Sequence, residues 1–270
     1  MQADALVGID KKAVAGRFNR SATFYDAHCH VQRRMADRLM KRLDGLPMPS
    51  RILELGCGTG YLTEMLAGRF PEAAIRAVDF AENMVDRARQ RLRRWGVELE
   101  VADAEAAGLA TCAYDLVISN ATIQWFDDPA STTAGLAAAL RPGGLMLHST
   151  FGPATFAELK QVLAGPAGDP GGVGPPLRGP GEWEALLSGA GLGEVVSDSS
   201  SEVVHYPSAG DFLLELQATG ATCRPNGAEN GPTPPGALRQ ALAHYDARFG
   251  TSEGAPVTYQ LLQVSGVRIR

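Results

Sequence analysis

Several features are missing from this chain of 270 residues, and each absence narrows its function. No apolar run approaches the roughly 20 residues that a membrane-spanning helix needs, so we expect no contact with a membrane. The first residues, MQADALVGIDKK, lack the apolar core of an export signal, which predicts a soluble cytoplasmic protein. The four cysteines lack the paired spacing of a zinc site or a disulfide framework.

Metal-binding and covalent catalytic motifs are missing too. His28–Cys29–His30 looks like a metal-binding tripeptide, but neighbours two apart on a helix point to different sides, and no second cluster could complete a site. We therefore predict no metal. The chain shows no obvious Ser/His/Asp or paired-carboxylate arrangement and no phosphate-binding G-K-[ST] sequence.

A glycine-rich turn is the most informative feature that is present. Residues 52–60 read ILELGCGTG, in which a predicted strand ends at Leu55 and a helix begins at about Thr59, with three glycines at the turn, Gly56, Gly58 and Gly60. Glycines let the main chain approach a ligand closely, and the following helix directs N–H groups at it. Asp79 ends the next apolar run, AIRAVD, where it can accept both hydroxyls of a ribose. The pair predicts a nucleoside-bearing cofactor.

The glycine spacing distinguishes among such cofactors. A dinucleotide site has G-x-G-x-x-G, whereas Tyr61 stands where its third glycine would fall. The segment E/D-x-G-x-G-x-G with a strand-end acid resembles class I S-adenosylmethionine-dependent methyltransferases. That resemblance implies S-adenosylmethionine as the cofactor, with its methionine half at the glycine loop and its ribose at Asp79.

Strands and helices alternate along the rest of this region. VELEVADA ends in Asp103 and Ala104, and a fourth strand over 114–119 runs out into Asn120. Such alternation predicts a parallel sheet, whose ligands lie beyond the carboxyl ends of the strands. We expect an α/β protein with the class I methyltransferase Rossmann-like fold. Its mostly parallel seven-stranded sheet would have an antiparallel last strand, and helical insertions would form a lid.

The predicted cofactor-binding residues lie at these strand ends and on the helix that follows the second strand. They are Glu54, Gly56, Cys57, Gly58, Gly60, Asp79, Phe80, Met84, Asp103, Ala104 and Asn120. Three of them have simpler interpretations. Asp79 could cap the following helix, Asp103 could be an ordinary polar strand end, and Met84, spaced four residues before Ala88, could belong to the core.

The domain organisation follows from composition. We expect an N-terminal helical arm over 1–45, a cofactor-binding core over 46–151, and a remainder over 152–270. Within that remainder, lid insertions would cover about 152–180 and 207–250. The segments 165–181 and 224–236 are rich in Gly and Pro and predict loops rather than helices or central strands.

Segments outside the cofactor core make the resemblance more specific. They include AVAGRFNRSATFYDAHCHVQ in the arm, IQW after the fourth strand, LLELQATGAT at 213–222 and a late VTYQLL. Together and in this order they resemble the malonyl-acyl-carrier-protein O-methyltransferases of biotin synthesis. The resemblance implies esterification of the free carboxylate of a malonyl thioester, carried on acyl carrier protein or on coenzyme A.

This chemistry does not need a general base. A malonyl carboxyl has a pKa of roughly 3–4, so it is already the nucleophile at pH 7. The candidates for holding it are Tyr25, Gln124 and Trp125, although Tyr25 could simply pack in the lid and Trp125 could simply form a wall. Arg178, in the Gly/Pro-rich loop, is a further candidate clamp for the carboxylate.

Charge is unevenly distributed, since residues 1–51 carry a net charge of +5 in a chain whose formal net charge is −5. This basic arm could meet an acidic acyl carrier protein, with contacts from Arg33, Arg34, Arg38, Lys41 and Arg42. The alternative is a solvated helix face. Nucleic acid is not expected, because no aromatic stacking motif accompanies the local charge. We expect a monomer.

Two other functions remain open at this point. The chain could methylate the carboxylate of a small free acid or other metabolite, since similar enzymes share the IQW-type segment. It could also be a cofactor-binding protein without catalytic activity. That class should show a degraded glycine loop or lack the ribose acid, and neither loss is seen here.

Overall fold

The computed structural model describes residues 9–163, 174–221 and 235–269. Within these residues the chain forms one seven-stranded sheet in the order β3-β2-β1-β4-β5-β7-β6. The strands are β1 (Arg51–Leu55), β2 (Ala74–Asp79), β3 (Glu98–Val101), β4 (Tyr114–Asn120), β5 (Leu140–Phe151), β6 (Leu192–Tyr206) and β7 (Ala255–Arg268). β1 to β5 run parallel, and β7 pairs antiparallel with both β5 and β6. The predicted mostly parallel sheet with an antiparallel last strand is confirmed.

Helices cover both faces of the sheet. They are α1 (Lys11–Ser21), α2 (Tyr25–His28), α3 (His30–Arg42), α4 (Tyr61–Arg69), α5 (Glu82–Arg91), α6 (Pro129–Ala139), α7 (Ala157–Leu163), α8 (Pro180–Gly189), α9 (Ala209–Ala218) and α10 (Pro235–Phe249). Successive strand residues point to opposite faces, so Ile52 packs in the core under α3 and α4 while Leu53 packs under α6 and α8. Burial on both faces explains why Ile52 and Leu53 are both apolar although they point in opposite directions.

Helices α7, α9 and α10 pack near the carboxyl end of β5. A separate apolar cluster joins Met35 of α3, Leu159 of α7, Phe212 of α9 and Tyr245 of α10 to the first half of β7. Two helices, α9 and α10, lie within the segment 207–250 that was expected to form an insertion. This cluster packs α3 against α7, α9 and α10 near the edge of the sheet where ligands bind in such folds.

Some boundaries differ from the sequence-based expectations. α4 begins at Tyr61 instead of about Thr59, because Gly60 is in the left-handed conformation (φ 84°) that ends the turn. β6 and α7 were not foreseen; β6 is an edge strand whose side chains are largely polar and exposed. Most of the predicted loops at 165–181 and 224–236 lies outside the described residues, which resume at Gly174 and at Pro235. No described helix combines the length and apolar character needed to traverse a bilayer.

Candidate functional site

The glycine loop after β1 has the tight geometry that its spacing predicts. Gly56, Gly58 and Gly60 all have positive φ, at 68°, 54° and 84°. A Cβ on Gly56 would lie 2.0 Å from Oγ1 of Thr122, and one on Gly60 would lie 3.1 Å from Cβ of Ala88. Beside Gly58, in contrast, no atom lies within 4 Å of the Cβ position. Two glycines are therefore required by packing, and the third faces open space that a ligand can occupy.

Asp79 supports this loop from the end of β2. Its carboxylate accepts a hydrogen bond from the Gly58 N–H at 2.9 Å and another from the Ala81 N–H at 2.8 Å. The side chain is buried, and burial raises its pKa to about 6 in spite of these two bonds. Because Ala81 immediately precedes α5, Asp79 supports the start of that helix as well as the loop, so the capping role and the ligand-binding role are compatible.

A cavity of about 390 Å³ lies beside Asp79. It is lined by five of the predicted cofactor residues, namely Gly56, Asp79, Phe80, Asp103 and Ala104. Met84 does not line it; this side chain is fully buried against Ala22 and Ala81. The structure thus places Met84 in the core, the simpler of its two interpretations.

The start of α1 is held beside this cavity by polar contacts. Nζ of Lys11 lies 2.6 Å from Oδ2 of Asp103 and also pairs with Glu105. The Ile9 N–H donates to Oδ1 of Asp127 at 2.7 Å. Asp103 therefore has one carboxylate oxygen bound to the arm, a partner that its position at a strand end did not reveal.

A second cavity, of about 400 Å³, lies on the other side of Gly56. Glu54 lines it with a side chain that is 1% exposed, and burial raises the pKa of this carboxyl to about 8. Arg33 lines it as well, with its guanidinium 5.0 Å from the ring centroid of Tyr61. Within the described chain, Oε2 of Glu54 and Nε of Arg33 are buried without hydrogen-bond partners. A carboxyl group and a guanidinium together suit a zwitterionic amino-acid moiety.

Three further predicted cofactor residues line this second cavity, Cys57, Gly58 and Asn120. The Asn120 amide is already engaged, since Nδ2 donates to the Gln32 main-chain oxygen at 2.9 Å and Oδ1 accepts from the Ser149 hydroxyl at 2.5 Å. Its main effect is to join α3 to the ends of β4 and β5.

The largest of the three cavities, about 750 Å³, is mostly apolar. Its walls include Phe18, Phe151, Phe156, Leu177 and Leu216, and at one place Glu215, whose carboxylate lies 3.6 Å from Nδ1 of His28. Tyr25 and Gln32 line both this cavity and the second one, while Trp125 lines both this cavity and the first. The large cavity therefore meets the second cavity at Tyr25 and Gln32 and meets the first cavity at Trp125. The ring of Phe18 contacts both Tyr25 and Trp125, and we call this part of the wall the junction.

The sequence-based catalytic candidates have different positions relative to this junction. Tyr25 and Trp125 lie at it. Gln124 lines the large cavity, but its Nε2 donates to the Ala121 oxygen at 2.8 Å and its Oε1 accepts from Thr150 at 2.9 Å. Arg178 instead lies over the ring of Trp183, 5.8 Å from its centroid, and lines none of the three cavities. Among the described residues, no Lys or Arg lines the large cavity.

Sequence reasoning assigned Arg33 to a docking face and did not single out Gln32. A usable signal was present, because Tyr25, Cys29 and Arg33 recur every four residues and so lie near one another on a helical stretch. The remaining arginines of α3 point the other way. Arg34 pairs with Glu202, Arg38 lies 3.2 Å from Glu202, and Arg42 lies 2.6 Å from Asp198, so acidic side chains of β6 neutralise them.

Metal ligands are not assembled here. The described part of the chain contains no group of three or more His, Cys, Asp or Glu side chains placed to hold a metal ion.

Replacing Arg33 with methionine should weaken binding of a ligand carboxylate in the second cavity. We expect the Kd for S-adenosylmethionine to rise at least tenfold, because a charge-assisted hydrogen bond contributes about 1.5–3 kcal/mol. Calorimetric titration measures this change. Arg34→Met is the matched control on the same helix, and equal affinities of the two variants would contradict the assignment.

Known proteins are similar to this chain, some over its central part and others over nearly its whole length. A family described as "Methyltransferase domain" matches residues 52–144. The malonyl-[acyl-carrier protein] O-methyltransferase of Anoxybacillus flavithermus is 38% identical over 259 residues, which cover 94% of this chain and 96% of the relative. The enzyme of the same name from Geobacter sulfurreducens is 35% identical over 267 residues, covering 96% of this chain and all of the relative.

Solved structures share the fold at low sequence identity. The YcgJ protein of Bacillus subtilis has a TM-score of 0.62 at 16% identity, covering 87% of this chain and 98% of that one. Phosphoethanolamine N-methyltransferase 2 of Haemonchus contortus, solved with S-adenosyl-L-methionine, has a TM-score of 0.54 at 17% identity, covering 88% of this chain and 53% of that one.

Proposed function

The chain belongs to the family of malonyl-[acyl-carrier protein] O-methyltransferases, and we propose that the three cavities hold the two substrates of that reaction. It is an S-adenosylmethionine-dependent methyltransferase that esterifies the free carboxylate of a malonyl thioester at the start of biotin-precursor synthesis. The observation that carries this function is similarity over 94% of the chain. That span includes the arm and the insertions that line the large cavity, and not only the common cofactor core.

The residues present fit S-adenosylmethionine. We place its adenosine half in the first cavity, with the ribose at Asp79, and its methionine half in the second, between Glu54 and Arg33. The open space at Gly58 lies between these groups, and the buried unpartnered atoms of Glu54 and Arg33 match the ammonium and the carboxylate of an amino acid. When bound, this cofactor supplies an electrophilic methyl group on a sulfonium centre.

The work of the protein is then to orient the acceptor and exclude water. The malonyl carboxylate is ionised at pH 7 and needs no base, since its pKa is roughly 3–4. Burial raises the pKa of Tyr25 far above neutrality, so its hydroxyl stays protonated as a donor. Holding an acceptor oxygen in line with the methyl group can lower the barrier by about 7–11 kcal/mol. The apolar walls of the large cavity strengthen these polar contacts by keeping water out.

The alternative acceptor, a small free acid, is tested by substrate competition. Malonyl-acyl carrier protein, malonyl coenzyme A, free malonate and a free tricarboxylic acid are each incubated with labelled S-adenosylmethionine, and product mass is read directly. We expect a carrier product heavier by one methyl group and preferred over the free acids. Turnover confined to free acids would retain the methyltransferase activity and overturn the carrier assignment.

The docking face for the acidic carrier is proposed on α1 of the basic arm. In the described structure, no acidic group lies within ion-pair distance of Lys12, Arg17 or Arg20, whereas three arginines of α3 are already neutralised by β6. Phe18, on the same helix, lines the large cavity. A carrier bound along α1 would therefore sit beside the acceptor cavity. We propose that this encounter takes place in the cytoplasm.

Reversing two of these charges, as Arg17→Glu with Arg20→Glu, should raise KM for the malonyl carrier at least tenfold. The KM for malonyl coenzyme A should change less than twofold, because Arg17 and Arg20 do not line the large cavity that holds the malonyl group. The matched control reverses Arg93 and Arg94, which are exposed just after α5 at the opposite edge of the sheet. Equal effects of the two double variants, or equal effects on both substrates, would contradict docking on α1.

A further inference from the structure

We propose that Gln32, with Tyr25 and Trp125, holds the carboxylate that accepts the methyl group. The inference rests on the proposed function and deepens it by naming the group that positions the acceptor. Gln32 lies on α3 and lines both the large cavity and the cavity assigned to the methionine half of the cofactor. A methyl group that moves from one substrate to the other must cross this junction.

The polar groups at the junction are unused by the protein itself. In the described chain, the side-chain amide of Gln32, the hydroxyl of Tyr25 and the indole N–H of Trp125 make no hydrogen bond. All three residues line cavities, so these groups are available to donate to a bound ligand. The side-chain amides of Gln124 and Asn120, which also line these cavities, already have hydrogen-bond partners within the protein. Three unsatisfied donors that share one junction indicate an anionic ligand.

The donors are held in place by packing and by the sheet. The main-chain oxygen of Gln32 accepts from Nδ2 of Asn120 at 2.9 Å, which ties α3 to the end of β4. The ring of Phe18 meets Trp125 edge-on at 5.8 Å between centroids and also packs against Tyr25 at 6.4 Å. A site built on such fixed elements keeps its geometry when the substrate binds.

Neutral donors suit this reaction better than a cation would. They can hold the carboxylate while leaving lone pairs available for attack, whereas a guanidinium would draw more charge from the nucleophile. The large cavity agrees, because no Lys or Arg of the described chain lines it and its carboxylate, Glu215, already has His28 and the Tyr206 hydroxyl as partners. Gln32 thus supplies the amide that the sequence had suggested Gln124 would supply.

A different role for Gln32 must be separated from this one, since it could bind the carboxylate of the methionine half instead. Gln32→Glu distinguishes the two roles. It keeps the size of the side chain but places a negative charge at the junction. This charge repels an anionic acceptor, while the cationic sulfonium of S-adenosylmethionine tolerates it. A residue that served the methionine carboxylate would show loss of cofactor binding instead.

The test measures cofactor Kd by calorimetry, and kcat and KM on whichever carboxylic acceptor the wild type esterifies fastest. We expect Gln32→Met to lower kcat/KM at least tenfold and Gln32→Glu at least 100-fold, with cofactor Kd within threefold of wild type in both. The control Gln217→Glu adds the same charge at an exposed site on α9 and should change neither value.

Three results would overturn the proposal: a tenfold rise in cofactor Kd, wild-type turnover by Gln32→Glu, or equal losses in the Met and Glu variants. Retained cofactor binding in each variant shows that it is folded. Because the acceptor is chosen by the wild type, a preference for free acids would count against the carrier assignment without affecting the test of Gln32.

Discussion

The Asp79→Ala variant should lose S-adenosylmethionine binding almost completely, with Kd rising at least about 100-fold. Two hydrogen bonds from ribose hydroxyls to a charged group contribute about 1.5–3 kcal/mol each, and both disappear. The loop is weakened as well, because the N–H groups of Gly58 and Ala81 lose their shared acceptor. Calorimetric titration gives the affinity, and thermal unfolding without cofactor should show a lower Tm.

Asp103→Ala is the matched comparison, since it removes a carboxylate from the same cavity beyond the neighbouring strand. Asp103 is more exposed and one of its oxygens binds Lys11, so we expect a rise in Kd of no more than about tenfold. Comparable losses in the two variants would show that the ribose assignment of Asp79 is wrong.

The Glu54→Gln variant should be more stable than wild type at pH 8 and equally stable below pH 4.5. Burial raises the pKa of Glu54 from 4.5 to about 8 in the folded protein. The folded state therefore retains a proton that the unfolded state releases, and the free energy of unfolding falls as pH rises through this window, by roughly 1.4 kcal/mol per pH unit at most. Glutamine is neutral at every pH, so the variant escapes this loss. Thermal unfolding from pH 4 to 9 measures the difference.

The same carboxyl should make cofactor affinity depend on pH. Bound S-adenosylmethionine carries positive charge and favours ionised Glu54, so wild-type affinity should rise as pH approaches 8. In Glu54→Gln the rise between pH 7 and 8 should vanish. A smaller rise near pH 6 should remain, because the pKa of Asp79 lies there in the folded protein. Identical pH profiles for variant and wild type would show that Glu54 does not face the cofactor.

Some of the site was predictable because it depends on local geometry. The loop after β1 needs positive φ at Gly56, Gly58 and Gly60, and only glycine adopts that conformation freely, so the motif could be read directly. Asp79 followed from the apolar run before it, since parallel strands end at one edge of the sheet.

Other features of the site needed the tertiary structure, because neighbouring residues along the chain can have different partners in space. From the sequence alone, Gln124 and Gln32 are equally suitable donors. In the structure the Gln124 amide is hydrogen-bonded to Ala121 and Thr150, whereas the Gln32 amide has no such partner among the described residues. The arginines of α3 read as one basic face. Arg33 turns into a cavity while Arg34 and Arg42 pair with β6, an edge strand that the sequence analysis had not placed.

The sequence by itself determined the alternation of strands and helices in the cofactor-binding core, the glycine loop, the acid at the end of β2 and the family, because each depends on spacing within a few residues or on motifs in a fixed order. Only the tertiary structure decided which polar groups remain free at the junction of the three cavities. That outcome depends on hydrogen bonds and ion pairs between residues far apart in the chain, such as Asn120 with Gln32 and Lys11 with Asp103. Each such pair removes a donor or a charge that the sequence alone would count as available for ligands.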